Sequence, residues 1–271
     1  MSWEKVCQPK FRGGLGLRKS RDYNIAMLAK VGWKLYNRTE VLWCEVFRAK
    51  YLHDMEFVGS VRKNGSSSTW QGLLKTQSCL ENGIKWQIGD GQITRFWKDW
   101  WVGQQPLIKR LPQPIPLLRE DIAVREVIHE NGSWNLWQLE SLLPQELIEE
   151  VRAVPILLED RGQNLSYWGC TTNGEFSVSS AYEIVAGFKD HTGGILENMK
   201  WIWHLRCPER IRVFIWILYL NKLNVNEVRA RKGMTAYAFC DRCPGRVESI
   251  EHVFCECPDA MNIWGRLKRE H

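Results

Sequence analysis

Four side chains that commonly bind metal ions lie close together near the C-terminal end of the sequence. The stretch CDRCPGRVESIEHVFCEC, residues 240–257, places Cys240 and Cys243 in a C-x2-C step and separates His252 from Cys257 by four residues. Structural zinc takes four ligands in a tetrahedron, and a C-x2-C step lets two thiolates from one tight turn bind the same ion. We therefore predict a Zn2+ site formed by Cys240, Cys243, His252 and Cys257.

The fourth ligand of this site has an alternative, because Cys255 could also close it through a His-x2-Cys step. Cys257 is favoured, since Cys255 lies in the apolar run HVFC. A site with three cysteines and one histidine leaves no open position for substrate or water, so its predicted role is structural. Unligated cysteines in a small core are the competing interpretation, but three thiols and a histidine so close together would be unusual packing.

The cysteine content also bears on where the chain works. The start, MSWEKVCQPK, has no apolar signal segment, and no stretch of 18 uncharged apolar residues occurs. We therefore expect an intracellular protein, nuclear or cytoplasmic, with no membrane partner. The nine cysteines of such a chain are expected to be metal ligands or free thiols, because disulfides are rare in reducing compartments.

Catalytic motifs are not recognisable elsewhere in the sequence. It contains no paired aspartates of the kind that hold magnesium in polymerases, no phosphate-binding Gly-Lys-Ser or Gly-Lys-Thr loop, and no Gly-x-Ser-x-Gly elbow. The remaining histidines have no convincing catalytic partners. The chain is predicted not to be an enzyme.

Charge is unevenly distributed along the chain. The formal net charge is +6, with +10 in residues 1–110, −8 in residues 111–200 and +4 in residues 201–271. Basic surfaces of this size attract polyanions through counterion release, so RNA or DNA is the expected partner, bound with little sequence preference. The alternative is that these lysines and arginines form an ordinary solvated surface.

The same three ranges are the predicted domains. Residues 1–110 form a basic helical segment with a β-hairpin, residues 111–200 an acidic linker with short helices and a hairpin, and residues 201–271 the zinc-binding domain. The first boundary lies within the proline-rich run QQPLIKRLPQPIPLL, residues 104–118, because prolines exclude a regular helix or a central strand there.

Hydrophobic periodicity predicts an α+β fold that is mainly helical, with short β-hairpins and a small C-terminal zinc-stabilised module. Helices are expected at residues 23–36, 41–52, 226–233 and 258–268, after Pro144, from a capping box at Ser180, and, largely buried, after Pro208. Hairpins are expected around Gly89-Asp90-Gly91 and around Asn173-Gly174.

Seven segments in a fixed order together resemble one family. They read SWEKVCQPKFRGGLGLR, LAKVGWKLY, LWCEVFRAKYL, WQIGDGQITRFWKDWW, NGEFSVSSAY, WHLRCPERIRVFIWIL and CDRCPGRVESIEHVFCECPDAMNIW. This series resembles the C-terminal part of plant LINE-type, non-LTR retrotransposon polyproteins, and its last segment resembles their reverse transcriptase zinc-binding domain.

The resemblance implies zinc ligation by the same four residues, and the extra Cys255 is a departure from the family pattern. In the family this region follows a reverse transcriptase domain and often precedes a ribonuclease H domain. The chain shows neither set of catalytic carboxylates, so a truncated, non-catalytic fragment is expected.

A role in handling template RNA or target DNA is what the resemblance implies for function. The expected phosphate contacts are Lys30, Lys34, Arg210, Arg212, Arg229, Arg231 and Lys232. The alternative is a protein-interaction scaffold that docks on a polymerase domain, in which the acidic middle segment faces a basic partner.

Overall fold

The structure is a computed structural model that describes residues 2–53, 55–62, 64–112, 114, 120–137, 139–140, 142–156, 162, 164–188 and 197–267. The chain folds into two compact units. The central unit is residues 19–191, and the terminal unit is residues 1–18 together with residues 192–271. These units follow packing, whereas the three predicted domains follow charge and composition, and that three-part division stays a prediction.

The α-helices of the described residues are α1 Trp3–Cys7, α2 Ser20–Tyr36, α3 Leu42–Phe47, α4 Ser68–Leu74, α5 Gln77–Gly83, α6 Gln145–Arg152, α7 Val178–Val185, α8 Lys200–His204, α9 Glu209–Tyr219, α10 Asn226–Arg231 and α11 Pro258–Leu267. The strands are β1 Ile84–Gln87, β2 Leu165–Trp168, β3 Phe239–Cys240 and β4 Cys243–Val247. The predicted class is confirmed: the fold is mainly helical, with short antiparallel β-structure. In the part of the chain that the structure describes, no helix is both long and apolar enough to cross a membrane.

Helix α2 is the longest element of the central unit, and its buried face differs from the predicted one. Helical spacing predicts a buried stripe through Ile25, Leu28, Val31 and Leu35. The buried positions are instead Ala26, Ala29 and Gly32, together with Leu35. A Cβ at Gly32 would lie 2.8 Å from Thr76 Oγ1. Small residues therefore let α2 lie close to its neighbours α4, α5 and α7.

A second core in the central unit is built around aromatic rings. Phe96 and Trp97 pack edge to face with centroids 4.8 Å apart, and both are fully buried. Leu107 and Val124 belong to the same cluster. The cluster thus contains residues from both sides of the proline-rich run that marks the first predicted boundary.

The hairpin predicted around Gly89-Asp90-Gly91 is wrong, because β1 pairs with a distant strand. Ile84 lies opposite Trp168, and the antiparallel register continues to Gln87 opposite Leu165. The backbone N–H groups of Gly89 and Gly91 both donate to Asn164 Oδ1, at 2.7 and 3.0 Å. Asn164 therefore fixes the turn, and the strand that follows Asn164 is the partner of β1.

The turn at Asn173-Gly174 forms, but not as a hairpin. Gly174 adopts a positive φ of 73°, and Trp168 N–H donates to Gly174 O at 3.0 Å. The chain then enters α7 without a second strand among the described residues. Ser177, not Ser180, caps this helix by accepting from the Ser180 N–H at 3.1 Å.

The terminal unit has a small core made of Val6, Met199, Ile202 and Trp216. Trp216 Nε1 donates to Gly13 O at 2.7 Å, which joins α9 to the start of the chain. The prediction that α9 is largely buried is wrong: Trp216 is its buried residue, and Phe214 is 42% exposed. Within the described part of the chain, the core of this unit has only four buried residues, which is too few to cover α9 on all sides.

Candidate metal centre

The first half of the site is a short antiparallel hairpin. Strands β3 and β4 pair with Cys240 opposite Cys243, and Asp241-Arg242 form the connecting turn. Successive side chains of a strand point to opposite faces. Cys240 is buried and belongs to the cluster of predicted ligands, whereas the preceding Phe239 is exposed, although the pairing register shifts between these two residues. We call this hairpin the knuckle.

The second half of the site is a π-helical turn over His252–Glu256. Its closing hydrogen bond runs from Cys257 N–H to His252 O at 2.7 Å. This i to i+5 hydrogen bond brings Cys257 close to His252 across one turn of the chain. Both side chains can therefore reach the same ion, although four residues separate them. The His252 N–H donates to Ser249 Oγ at 3.0 Å, which fixes the start of the turn.

The four predicted ligands come together in space. One ligand atom each from Cys240, Cys243, His252 and Cys257 lies within 4.8 Å of the others. Cys243 Sγ and Cys257 Sγ are 3.7 Å apart. Two thiolates on a tetrahedral zinc, each about 2.3 Å from the ion, are separated by about 3.8 Å. The arrangement therefore has the dimensions of a structural zinc site.

The environment of the His252 imidazole independently supports metal binding. The residue is buried, and neither of its ring nitrogens has a hydrogen-bond partner among the described residues. The nearest carboxylate oxygen in an ion-pair geometry, Glu256 Oε2, is 3.9 Å from Nδ1, too far for a hydrogen bond. A buried polar group without a partner is costly, and a metal–nitrogen bond removes that cost for the nitrogen that binds the metal.

The thiols of Cys243 and Cys257 have pKa shifts in opposite directions. Burial and the neighbouring Cys257 and Cys240 raise the pKa of Cys243 to about 11. Burial also acts to raise the pKa of Cys257, but backbone N–H groups of Asp259 and Ala260 donate to its sulfur and the net shift is downward. These groups belong to the first turn of α11, where unpaired N–H groups favour a thiolate. Zinc would bind both residues as thiolates, so its binding releases the protons that these thiols carry.

Cys255 lies outside the cluster. It is exposed, whereas Cys257 is only 5% exposed and is the residue that approaches Cys243. The structure therefore brings together the four residues chosen from the sequence and separates the competing cysteine from them.

The sequence pattern did not indicate two further features around the cluster. One is the pair of backbone N–H groups of Asp259 and Ala260. The other is an ion pair between Arg242 and Asp259 at 3.0 Å. This ion pair joins the knuckle turn to the start of α11. Pro258 was the signal that could have found them, because proline is frequent at the first position of a helix and so places Cys257 directly before one.

The residues predicted to contact phosphates lie in both units. Lys30 and Lys34 are exposed on α2 of the central unit, and the remaining predicted residues belong to the terminal unit. Arg212 is partly buried there, and its Nε and Nη2 donate to Leu205 O at 2.9 and 2.7 Å. Its guanidinium thus fixes the turn between α8 and α9. The other predicted cations of this unit are exposed: Arg210, Arg229, Arg231 and Lys232.

Residues 176–264 match the protein family described as zinc-binding in reverse transcriptase. All four clustered residues fall inside this range. The region is therefore a zinc-binding region associated with reverse transcriptases, and the prediction of zinc as its cofactor is confirmed.

Two Arabidopsis thaliana proteins are similar to the chain. One, named "Putative ribonuclease H protein", is 31% identical over 275 residues, covering 98% of this chain and 44% of the relative. The other, named as an uncharacterized mitochondrial protein, is 28% identical over 103 residues, covering 38% of this chain and 67% of the relative. The chain thus spans less than half the length of the first relative. No solved structure matches it.

Proposed function

We propose that the chain is a non-catalytic accessory region of a LINE-type, non-LTR retrotransposon reverse transcriptase, folded around one zinc ion and contacting RNA or DNA. The observation that carries this proposal is the buried cluster of three thiols and one imidazole inside the matched range. With four protein ligands, a tetrahedral zinc has no position left for water or substrate, so the ion supplies folding energy and not chemistry.

The nucleic-acid part of the proposal is supported by the exposed cations at the end of α10. Arg229, Arg231 and Lys232 are exposed there. The last carbonyl groups of the helix are already satisfied by backbone, since Gly233 N–H donates to Ala230 O and Met234 N–H donates to Arg229 O, both at 2.9 Å. The three cations are therefore not needed as caps and can neutralise phosphates.

Binding of the full chain to labelled RNA at several salt concentrations tests this proposal. If about five phosphates are neutralised, the slope of log affinity against log salt is roughly −3.5 for single strands. Reversing Arg229, Arg231 and Lys232 to Glu should weaken binding to all sequences alike and flatten the slope, with zinc retained. The matched control is Arg38→Glu, at an exposed cation of the central unit that pairs with Glu56. Unchanged affinity in the triple variant would reject these phosphate contacts.

A protein-docking role is the second candidate, and the apolar surface of α11 favours it. No residue of α11 is buried, although the helix carries large apolar side chains. Met261, Ile263 and Trp264 are each about half exposed. Large exposed apolar side chains on one helix are typical of interaction surfaces. In that case Met261→Glu with Ile263→Glu should abolish binding to a separately expressed reverse transcriptase domain without changing RNA affinity, whereas unchanged domain binding would reject docking through α11.

A further inference from the structure

The chain from the end of α10 through the knuckle exposes an unusual set of large side chains. Met234 is 63% exposed, Tyr237 74% and Phe239 48%, and Val247, which lies opposite Phe239 on β4, is 45% exposed. Isolated apolar residues are common on protein surfaces. Here they follow one another along one short segment and across one strand pair, which is the pattern of a binding surface.

This segment is fastened to α10 by several hydrogen bonds. Asn226 Nδ2 donates to Phe239 O at 3.0 Å, and Glu227 N–H donates to Glu248 O at 3.2 Å. Glu248 N–H in turn donates to Ala238 O at 2.8 Å. Helix α10 and the knuckle are thus one connected piece of structure, which carries both the cations of α10 and the exposed aromatic residues.

The metal site determines how the knuckle presents its aromatic ring. Cys240 belongs to the cluster and is buried, whereas its neighbour Phe239 on the same strand is exposed. A zinc ion that holds Cys240 and Cys243 therefore also holds the strand that displays Phe239. We expect loss of zinc to disorganise this surface.

The surface is also basic. Arg229, Arg231 and Lys232 are exposed at the end of α10, and Arg246 is exposed on β4 next to Val247. Among the nearby carboxylates, Glu248 is engaged by Asn226, which donates to it from its backbone N–H at 2.8 Å and from Nδ2 at 3.1 Å. Asp241 is exposed in the knuckle turn and pairs with no cation in the described residues. Cations outnumber free carboxylates here, so an anionic partner is favoured.

We propose that this surface binds single-stranded nucleic acid, with bases stacked on Tyr237 and Phe239 and phosphates bound by Arg229, Arg231, Lys232 and Arg246. This inference rests on the proposed function and narrows it. In a duplex the faces of the bases are covered by their neighbours, so exposed aromatic rings contribute nothing to duplex binding. A single strand offers every base as a stacking partner, and cations beside the rings bind its backbone.

The test compares the affinity of the full, zinc-loaded chain for a 12-nucleotide single-stranded RNA and for the same sequence as a duplex. The variant Tyr237→Ala with Phe239→Ala should lose about thirtyfold or more in single-strand affinity, at constant zinc content, because two stacking rings are removed. Its duplex affinity should not change. The conservative pair Tyr237→Phe with Phe239→Tyr should retain binding, because both rings remain. Trp137→Ala, at an exposed ring of the central unit, is the control and should have no effect.

The outcomes separate this inference from the function on which it rests. If the parent chain binds neither single strands nor duplex, the proposed function itself fails. If it binds both equally and the double alanine variant is unaffected, nucleic-acid binding stands and the stacking surface is rejected. Loss of binding to a reverse transcriptase domain in that variant, with unchanged RNA affinity, would assign the surface to a protein partner instead.

Discussion

Two cysteines that are separated by one residue have opposite environments in the zinc region. Cys257 is buried beside Cys243 and accepts N–H groups from the first turn of α11, whereas Cys255 is exposed. A cysteine stabilises a bound zinc ion only if its sulfur atom can reach the ion. The two residues can therefore be distinguished by single substitutions.

We predict that Cys255→Ser retains about one zinc per chain and that Cys257→Ser loses most of it, because serine oxygen cannot replace a thiolate ligand. Elemental analysis of the purified variants measures this directly. The two variants differ from the parent by the same atom exchange, so each is the control of the other. Zinc loss in Cys255→Ser with retention in Cys257→Ser would reverse the assignment of the fourth ligand.

The ligand set could be predicted from sequence because each half of the site is local. A C-x2-C step forms one turn, and four intervening residues fit one π-helical turn between His252 and Cys257. The role of Arg212 could not be predicted in this way. Its partner is the carbonyl of Leu205, and a backbone acceptor leaves no trace in the pattern of side chains.

At the scale of elements, helices were predicted better than strand partners. Helical periodicity is visible within one segment, and α2, α6, α10 and α11 lie where it placed them. The partner of a strand is decided by contacts across the whole chain. The alternation around Gly89-Asp90-Gly91 indicated a turn correctly but not that β1 would pair with β2, some 80 residues later.

Asn164 provides a test of this turn. Its buried Oδ1 accepts from Gly89 and Gly91, so Asn164→Ala leaves two backbone donors without a partner. We expect a loss of about 1–3 kcal/mol in the free energy of unfolding, measured by urea denaturation. Gln92→Ala, at an exposed position next to the turn, is the control and should stay within about 0.5 kcal/mol of the parent. Equal stability of the two variants would show that Asn164 does not hold the turn.

Across the whole molecule, the sequence did not indicate which residues make up the terminal unit. Charge and proline content suggested contiguous segments, but residues 1–18 join residues 192–271 in one compact unit. The contact that fastens them, Trp216 Nε1 to Gly13 O, joins residues about 200 positions apart. No local pattern indicates such a pairing.

The two units differ in how much apolar core they contain, and this difference predicts the effect of metal removal. The central unit has two large aromatic clusters, whereas the terminal unit has one small cluster and a helix, α11, with no buried residue. A region with so little core depends on zinc for folding energy. Chelation should therefore raise amide hydrogen exchange in residues 234–264 and leave α2, α5 and α7 protected. Uniform protection after chelation would contradict this dependence.

If zinc holds the surface with which the chain binds nucleic acid, removal of the ion should weaken that binding. The most direct test is the affinity of the full chain for a single-stranded RNA, measured in the same preparation before chelation, after chelation and after zinc is restored. We expect salt-dependent binding with zinc, weaker binding without it, and recovery when zinc returns. Affinity that is unchanged by zinc removal, with elemental analysis confirming that the metal has left, would contradict this expectation.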